Sequence, residues 1–221
     1  MKRAHNSFLY ILSVIIILTT FKEALSQNLR YQLIYQGMSA GQALLKREII
    51  SDDTLKATFI LKTQGLMDRL FPIRDTIAVL IDSRDYSTIS WKKIINEGRY
   101  HRTKIFSRDT MSNPIFLRDE YSALMMLMDT TYFREPQIDL HILHRDSLRI
   151  LPLQLNRKEL IQFDNDYNWT NLYEPTPEAI ASLVKGENQM WIWMSDTRPS
   201  RPVRLKLKFQ YGNILLKLID E

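Results

Sequence analysis

The sequence predicts a mainly β protein: a single curved antiparallel sheet forming a closed or half-open barrel, with one or two short helices. Three observations carry that expectation. Apolar and polar residues alternate with a period of two in several separate stretches, and turn-forming residues fall between those stretches at short intervals. No stretch reads as a repeated strand–helix unit, which argues against a parallel doubly wound sheet.

The first 26 residues read as a leader. Met1–Asn6 is short and basic, Phe8–Phe21 is apolar except for Ser13, Thr19 and Thr20, and Ala24-Leu25-Ser26 is a small-x-small site. That order describes a secretory signal peptide over 1–26, cleaved before Gln27, with residues 27–221 forming a single β-barrel-like domain. An apolar run of 14 residues is short for a bilayer span, which takes about 20. Cleavage removes Lys2, Arg3, Lys22 and Glu23 and lowers the net charge from +5 to +3, so no nucleic-acid partner is expected. The absence of cysteine excludes a disulfide scaffold, a thiolate metal site and lipid attachment at an N-terminal cysteine. The expected location is exported, periplasmic and not membrane-spanning after cleavage.

Strand signals follow along the chain. Tyr31, Leu33 and Tyr35 alternate with Gln32 and Gln36, and Lys56–Lys62 places Ala57, Phe59 and Leu61 on one face. Arg204–Tyr211 is the clearest case, with Leu205, Leu207, Phe209 and Tyr211 opposed to Arg204, Lys206, Lys208 and Gln210. Trp191–Met194 is apolar on both faces, which suits a strand covered on both sides or one facing a cavity. Turn residues cluster at 51–53, 82–85, 97–98, 145–147, 164–166, 196–199 and 211–213. Two segments break the alternation: Gly65–Phe71, ended by Pro72, and Asp119–Met128, with acidic residues at its start and apolar spacing for one packed face. A further short helix is expected over Ala179–Val184.

Catalytic chemistry finds little support. His141-x-x-His144 would share a face on a helix, but it lies in a strand, where residues three apart point to opposite faces. No Gly-x-Ser-x-Gly turn or phosphate loop is present, and Ser122 and Ser195 have no partner that sequence assigns. No catalytic residue, metal ligand or cofactor is therefore expected. Met125, Met126 and Met128 suit core filling or an adaptable apolar surface. Asn168-Trp169-Thr170 matches a glycosylation sequon by chance. Arg74 and Asp75 stand among Ile and Val residues, so an inward charge must find a partner. The partner is either a ligand head group or an ion pair between neighbouring strands.

Several blocks resemble the exported domain-of-unknown-function 3108 family. They are Tyr35–Ala43, Thr63–Asp75, Trp91-Lys92-Lys93 through Glu97–Tyr100, Asp119–Leu124, and Ile192–Asp196 with Arg201–Arg204. They run in the family's order across the chain, which departs from the pattern between Asp164 and Lys185 and at Thr197. The resemblance implies an exported bacterial protein with a curved antiparallel sheet and no established activity. The plan also looks like that of periplasmic lipoprotein-carrier half-barrels, an analogy of shape.

The leading expectation is an envelope protein that is not an enzyme. It would bind a lipid or other apolar ligand, or an envelope protein, in the concavity of the sheet. Tyr31, Phe59, Trp91, Tyr100 and Trp193 are the expected wall, with Arg74 as a polar contact. Two alternatives stand beside it. One is a scaffold or assembly factor using its outer surface, marked by a contiguous exposed apolar patch. The other is a hydrolase with a site the sequence does not reveal.

Overall fold

The computed structural model describes residues 26–108, 117–129, 135–144, 147–163, 165–179, 189–210 and 212–219. The expected leader therefore lies outside the described residues, apart from Ser26. So do most of the Arg108–Leu117 linker and residues 180–184 of the third expected helix; 177–179 are helical.

The alternating stretches at 31–35 and 56–62 are strand, and Arg204–Tyr211 is strand as far as Phe209, with Tyr211 outside the described residues. The first half of the chain supplies β1 (Ser26–Tyr35), β2 (Met38–Ser51), β3 (Thr54–Thr63), helix α1 (Gly65–Leu70), β4 (Arg74–Asp82), β5 (Thr88–Glu97) and β6 (Tyr100–Ser107). Helix α2 (Glu120–Leu127) follows. The second half supplies β7 (Gln137–His144), β8 (Ser147–Phe163), β9 (Asp166–Pro175), β10 (Gln189–Ser195), β11 (Pro202–Phe209) and β12 (Gly212–Leu218). The β1–β2 connection is a two-residue turn, Gln36-Gly37, with both residues at positive φ, the geometry that matches the twist of paired strands.

All twelve strands form one antiparallel sheet in the order β6-β5-β4-β3-β2-β1-β12-β11-β10-β9-β8-β7. Two six-stranded meanders are thus joined at a seam where the first strand pairs with the last, Tyr31 opposite Leu218 and Leu33 opposite Leu216. The end strands β6 and β7 are not paired with each other, which makes the barrel half-open. At Gly41 the neighbouring strand comes so close that a Cβ would overlap the Lys62 carbonyl oxygen, so only glycine fits.

One face of the sheet carries the core. Leu29, Tyr31, Ala43, Leu45, Ala57, Ile77, Val79, Leu140, Leu153, Ile192 and Met194 are buried together with Met125, Met126, Leu127 and Met128 of the α2 segment. The sequence suggests one packed face for α2. Instead, buried residues run nearly all round it, from Ser122 and Ala123 through Met128, because the helix lies within the curve of the sheet rather than on its surface. It packs on β3, β4 and β7. Leu207, expected to face inward, is 44% exposed: β11 lies away from the strands that α2 covers. In β10, Ile192 and Met194 are buried while Trp191 and Trp193 are half-buried, so one face is covered fully and the other in part.

Residues 117–119 bridge the opening. Thr88 N donates to the Leu117 carbonyl at 2.7 Å, and Arg118 forms a parallel bridge with Ile142 of β7. Asp119 N donates to Thr88 Oγ1 at 2.9 Å, and Thr88 Oγ1 lies 2.8 Å from Ser122 Oγ. Asp119 also caps α2, accepting from Ser122 N at 2.8 Å.

Candidate functional site

Two regions gather chemically distinctive side chains: the concave face, where sequence places the wall, and the rim carrying α1. On the concave face Phe59 and Trp91 come together. Register puts Phe59 opposite Ile77 and Trp91 opposite Val79, on one side of the sheet. Phe59 meets the Tyr121 ring at 5.5 Å, and Trp91 stacks on Phe106 at 5.7 Å. Lys93 projects into the same cluster, 4.9 Å from the Trp91 ring and 5.3 Å from the Tyr121 ring, with Nζ 2.6 Å from Glu120 Oε1. Two aromatic rings and a carboxylate already satisfy the ammonium, so this cluster fastens α2 to β5. Phe106, Tyr121, Lys93 and Glu120 escape sequence reasoning because their partners are remote in the chain.

The other expected wall residues are dispersed. Tyr31 is buried at the seam and donates to the Pro202 carbonyl at 2.8 Å; burial pushes its phenol well above the ordinary range. Trp193 is half-buried, and its Nε1 donates to Glu159 Oε2 at 2.7 Å. Tyr100 is exposed at the start of β6. Arg74 is exposed and donates through Nη1 and Nη2 to Asp68 Oδ1 and Oδ2 at 2.7 and 2.8 Å. Its partner thus belongs to α1, not to a neighbouring strand. Asp75 faces inward, is buried, and accepts from Asn96 N at 2.8 Å. Burial, reinforced by the Asp75 charge, raises the Glu97 carboxyl above its ordinary value. His141 and His144 lie on strand β7, and no group of three or more metal-ligating side chains occurs among the described residues.

The rim is the more unusual region. Helix α1 has no buried residue. Leu66 and Leu70, four apart and hence on one face, are 66% and 70% exposed, and Phe71 is 48% exposed. Tyr100 and Met38 are exposed at the same end of the sheet. The segment is nevertheless firmly held. Gln64 N donates to the Ala40 carbonyl, Thr63 Oγ1 donates to Asp68 Oδ1 at 2.8 Å, and Gly98 N donates to the Pro72 carbonyl. Arg74 and Thr63 together hold the Asp68 carboxyl below its usual range. The Phe71 ring rests against Gly98. On the sheet next to Gln64, which precedes α1, lies a groove of about 360 Å³ whose lining mixes Leu44, Ile60 and Ile219 with Arg30, Gln42 and Lys62. The helix at 65–71 is legible in the sequence; the exposure of its leucines is not, because apolar residues are ordinarily core residues.

No family model and no curated protein matches the chain. Among solved structures it is similar to a β-barrel-like protein of domain of unknown function DUF1849 from Brucella abortus. The TM-score is 0.53 at 8% identity, covering 89% of this chain and 96% of that one. That likeness establishes a shared β-barrel-like fold.

Proposed function

We propose that this chain is an exported, non-catalytic module of the cell envelope, a divergent member of the domain-of-unknown-function 3108 family, which works by docking through its α1 rim. The observation that carries the reading is a helix with every residue off the core, whose leucines are held outward by the Thr63–Asp68–Arg74 network. Rigid presentation of large apolar side chains has a free-energy cost in water that a partner surface relieves. The curve of the sheet, by contrast, is occupied by α2, whose Met125, Met126, Leu127 and Met128 are at most 4% exposed. An assembly or scaffolding role through the outer surface suits this geometry better than carriage of a ligand in the hollow.

The test is fractionation of cells making the Leu66→Ser/Leu70→Ser variant. Because both residues are exposed, thermal melts should match the parent. The parent should sediment with envelope material and the variant should be released. An unchanged distribution refutes docking through α1.

One observation favours the second reading, a ligand in the concavity. Asn171 is fully buried in register with Met194, and neither of its side-chain polar atoms has a partner. Buried amides are ordinarily satisfied, so a bound polar group beside Asn171 would complete it. Native mass spectrometry of the protein as purified from cells would show the added mass.

A further inference from the structure

We infer that the surface docked by the α1 rim is an anionic lipid bilayer. The inference rests on the docking role proposed above and identifies its occupant. Charge is the first argument. Arg69 lies on α1, Lys62 precedes it at the end of β3, and Arg99 follows Gly98, against which the Phe71 ring rests; all three are exposed and none forms an ion pair with a described residue, and the exposed Arg102 and Lys104 follow along β6. The acidic residues of these segments are Asp68, already bound by Arg74, Asp75, which is buried and accepts from Asn96 N, and Glu97, which is half-buried. The rim therefore presents cations to whatever lies opposite.

Shape is the second argument. Leu66 and Leu70 are exposed on one face of a six-residue helix, with Phe71, its ring against Gly98, exposed just after it. A stable protein–protein interface buries roughly 1,200–2,000 Å² of well-fitted surface. A narrow apolar tip collared by Lys and Arg suits a bilayer instead. There the leucines enter the boundary between headgroups and acyl chains, and the cations remain among phosphates. Tyr100, with an apolar ring and a polar tip, is exposed beside Arg99 at the same end of the sheet, and such rings partition at headgroup level. Rigidity is the third. The hydrogen bonds of Thr63, Asp68 and Arg74 fix the tip before contact, so docking loses little conformational entropy.

The experiment is co-sedimentation of the full chain with vesicles of equal parts phosphatidylglycerol and phosphatidylethanolamine, and with phosphatidylcholine vesicles alone. Any contribution of the leader is common to parent and variants, so the differences among them report the rim. The parent should bind the anionic vesicles and lose binding as salt is raised. Arg69→Glu/Arg99→Glu should bind them at least roughly tenfold more weakly. Leu66→Ser/Leu70→Ser should lose at least roughly tenfold as well. Equal parental binding to both lipids, or no effect of either pair of substitutions, overturns the inference. Release of Leu66→Ser/Leu70→Ser from the envelope fraction without any vesicle binding by the parent would overturn the lipid assignment alone. Docking through the rim would then stand, with a protein as its occupant.

Discussion

Replacing Thr88 by valine removes one hydroxyl from the place where α2 is tied to the sheet, and leaves the shape of the side chain almost unchanged. Thr88, Asp119 and Ser122 are all at most 4% exposed. Ser122 Oγ donates to the Asp119 carbonyl at 3.1 Å, so the Thr88 hydroxyl is the donor in its contact with Ser122 and the acceptor from Asp119 N. Valine can do neither. The backbone N–H of Asp119 is left buried and unpaired, at about 1–3 kcal/mol, and the hydroxyl–hydroxyl bond, at about 1 kcal/mol, is lost. A total loss of about 2–4 kcal/mol should lower the melting temperature by about 5–10 °C for a chain of this size. Thermal and urea unfolding would measure it, with hydrogen exchange at 117–119 locating the opening. Thr88→Ser keeps both hydrogen bonds, loses only a methyl group, and should cost about 1 kcal/mol. A Thr88→Val variant within about 0.5 kcal/mol of the parent, or more stable than Thr88→Ser, would refute the latch.

Four further outcomes follow from the geometry. Glu97 ionises with difficulty in the fold, so its contribution is full below its ordinary value of 4.5 and is lost as pH rises toward the raised folded value. Glu97→Gln should gain stability at pH 7 and flatten the pH dependence above 4.5; an unchanged curve would exclude the burial effect. Asp82 has the opposite sign: Arg84 hydrogen bonds hold it at about 2, so its contribution is present above 3.8 and lost as pH falls through about 2. Acid titration of Asp82→Asn should lack that low-pH loss. Gly41→Ala drives a methyl group into the Lys62 carbonyl and should cost about 3 kcal/mol in urea unfolding. Asn171→Leu removes two unpaired buried polar atoms and should stabilise by about 2 kcal/mol. A loss of stability would instead mean that a bound polar group satisfies the amide.

Period-two alternation at Tyr31–Tyr35, Lys56–Lys62 and Arg204–Phe209 made the strands legible, because the two faces of a strand are a local property of consecutive residues. The turns at 51–53, 82–85 and 97–98 and the helices α1 and α2 were legible for the same reason, since capping acids, glycine and proline act within a few positions; the turns expected at 145–147, 164–166 and 211–213 lie partly outside the described residues. The candidate site was legible only in fragments. Phe59 and Trp91 do share a face, but what they meet is Tyr121, Phe106 and Lys93, brought there by strand register and by α2. Arg74 was legible as a charge requiring a partner, yet which face it took depended on the pairing of β3 with β4. Sequence by itself determined a β-rich chain of antiparallel strands with one or two short helices. Tertiary structure decided that β1 pairs with β12, that α2 occupies the curve of the sheet, and that Leu66 and Leu70 stay in water. Side-chain periodicity is set by neighbours along the chain, whereas burial is set by whatever the rest of the chain lays on top.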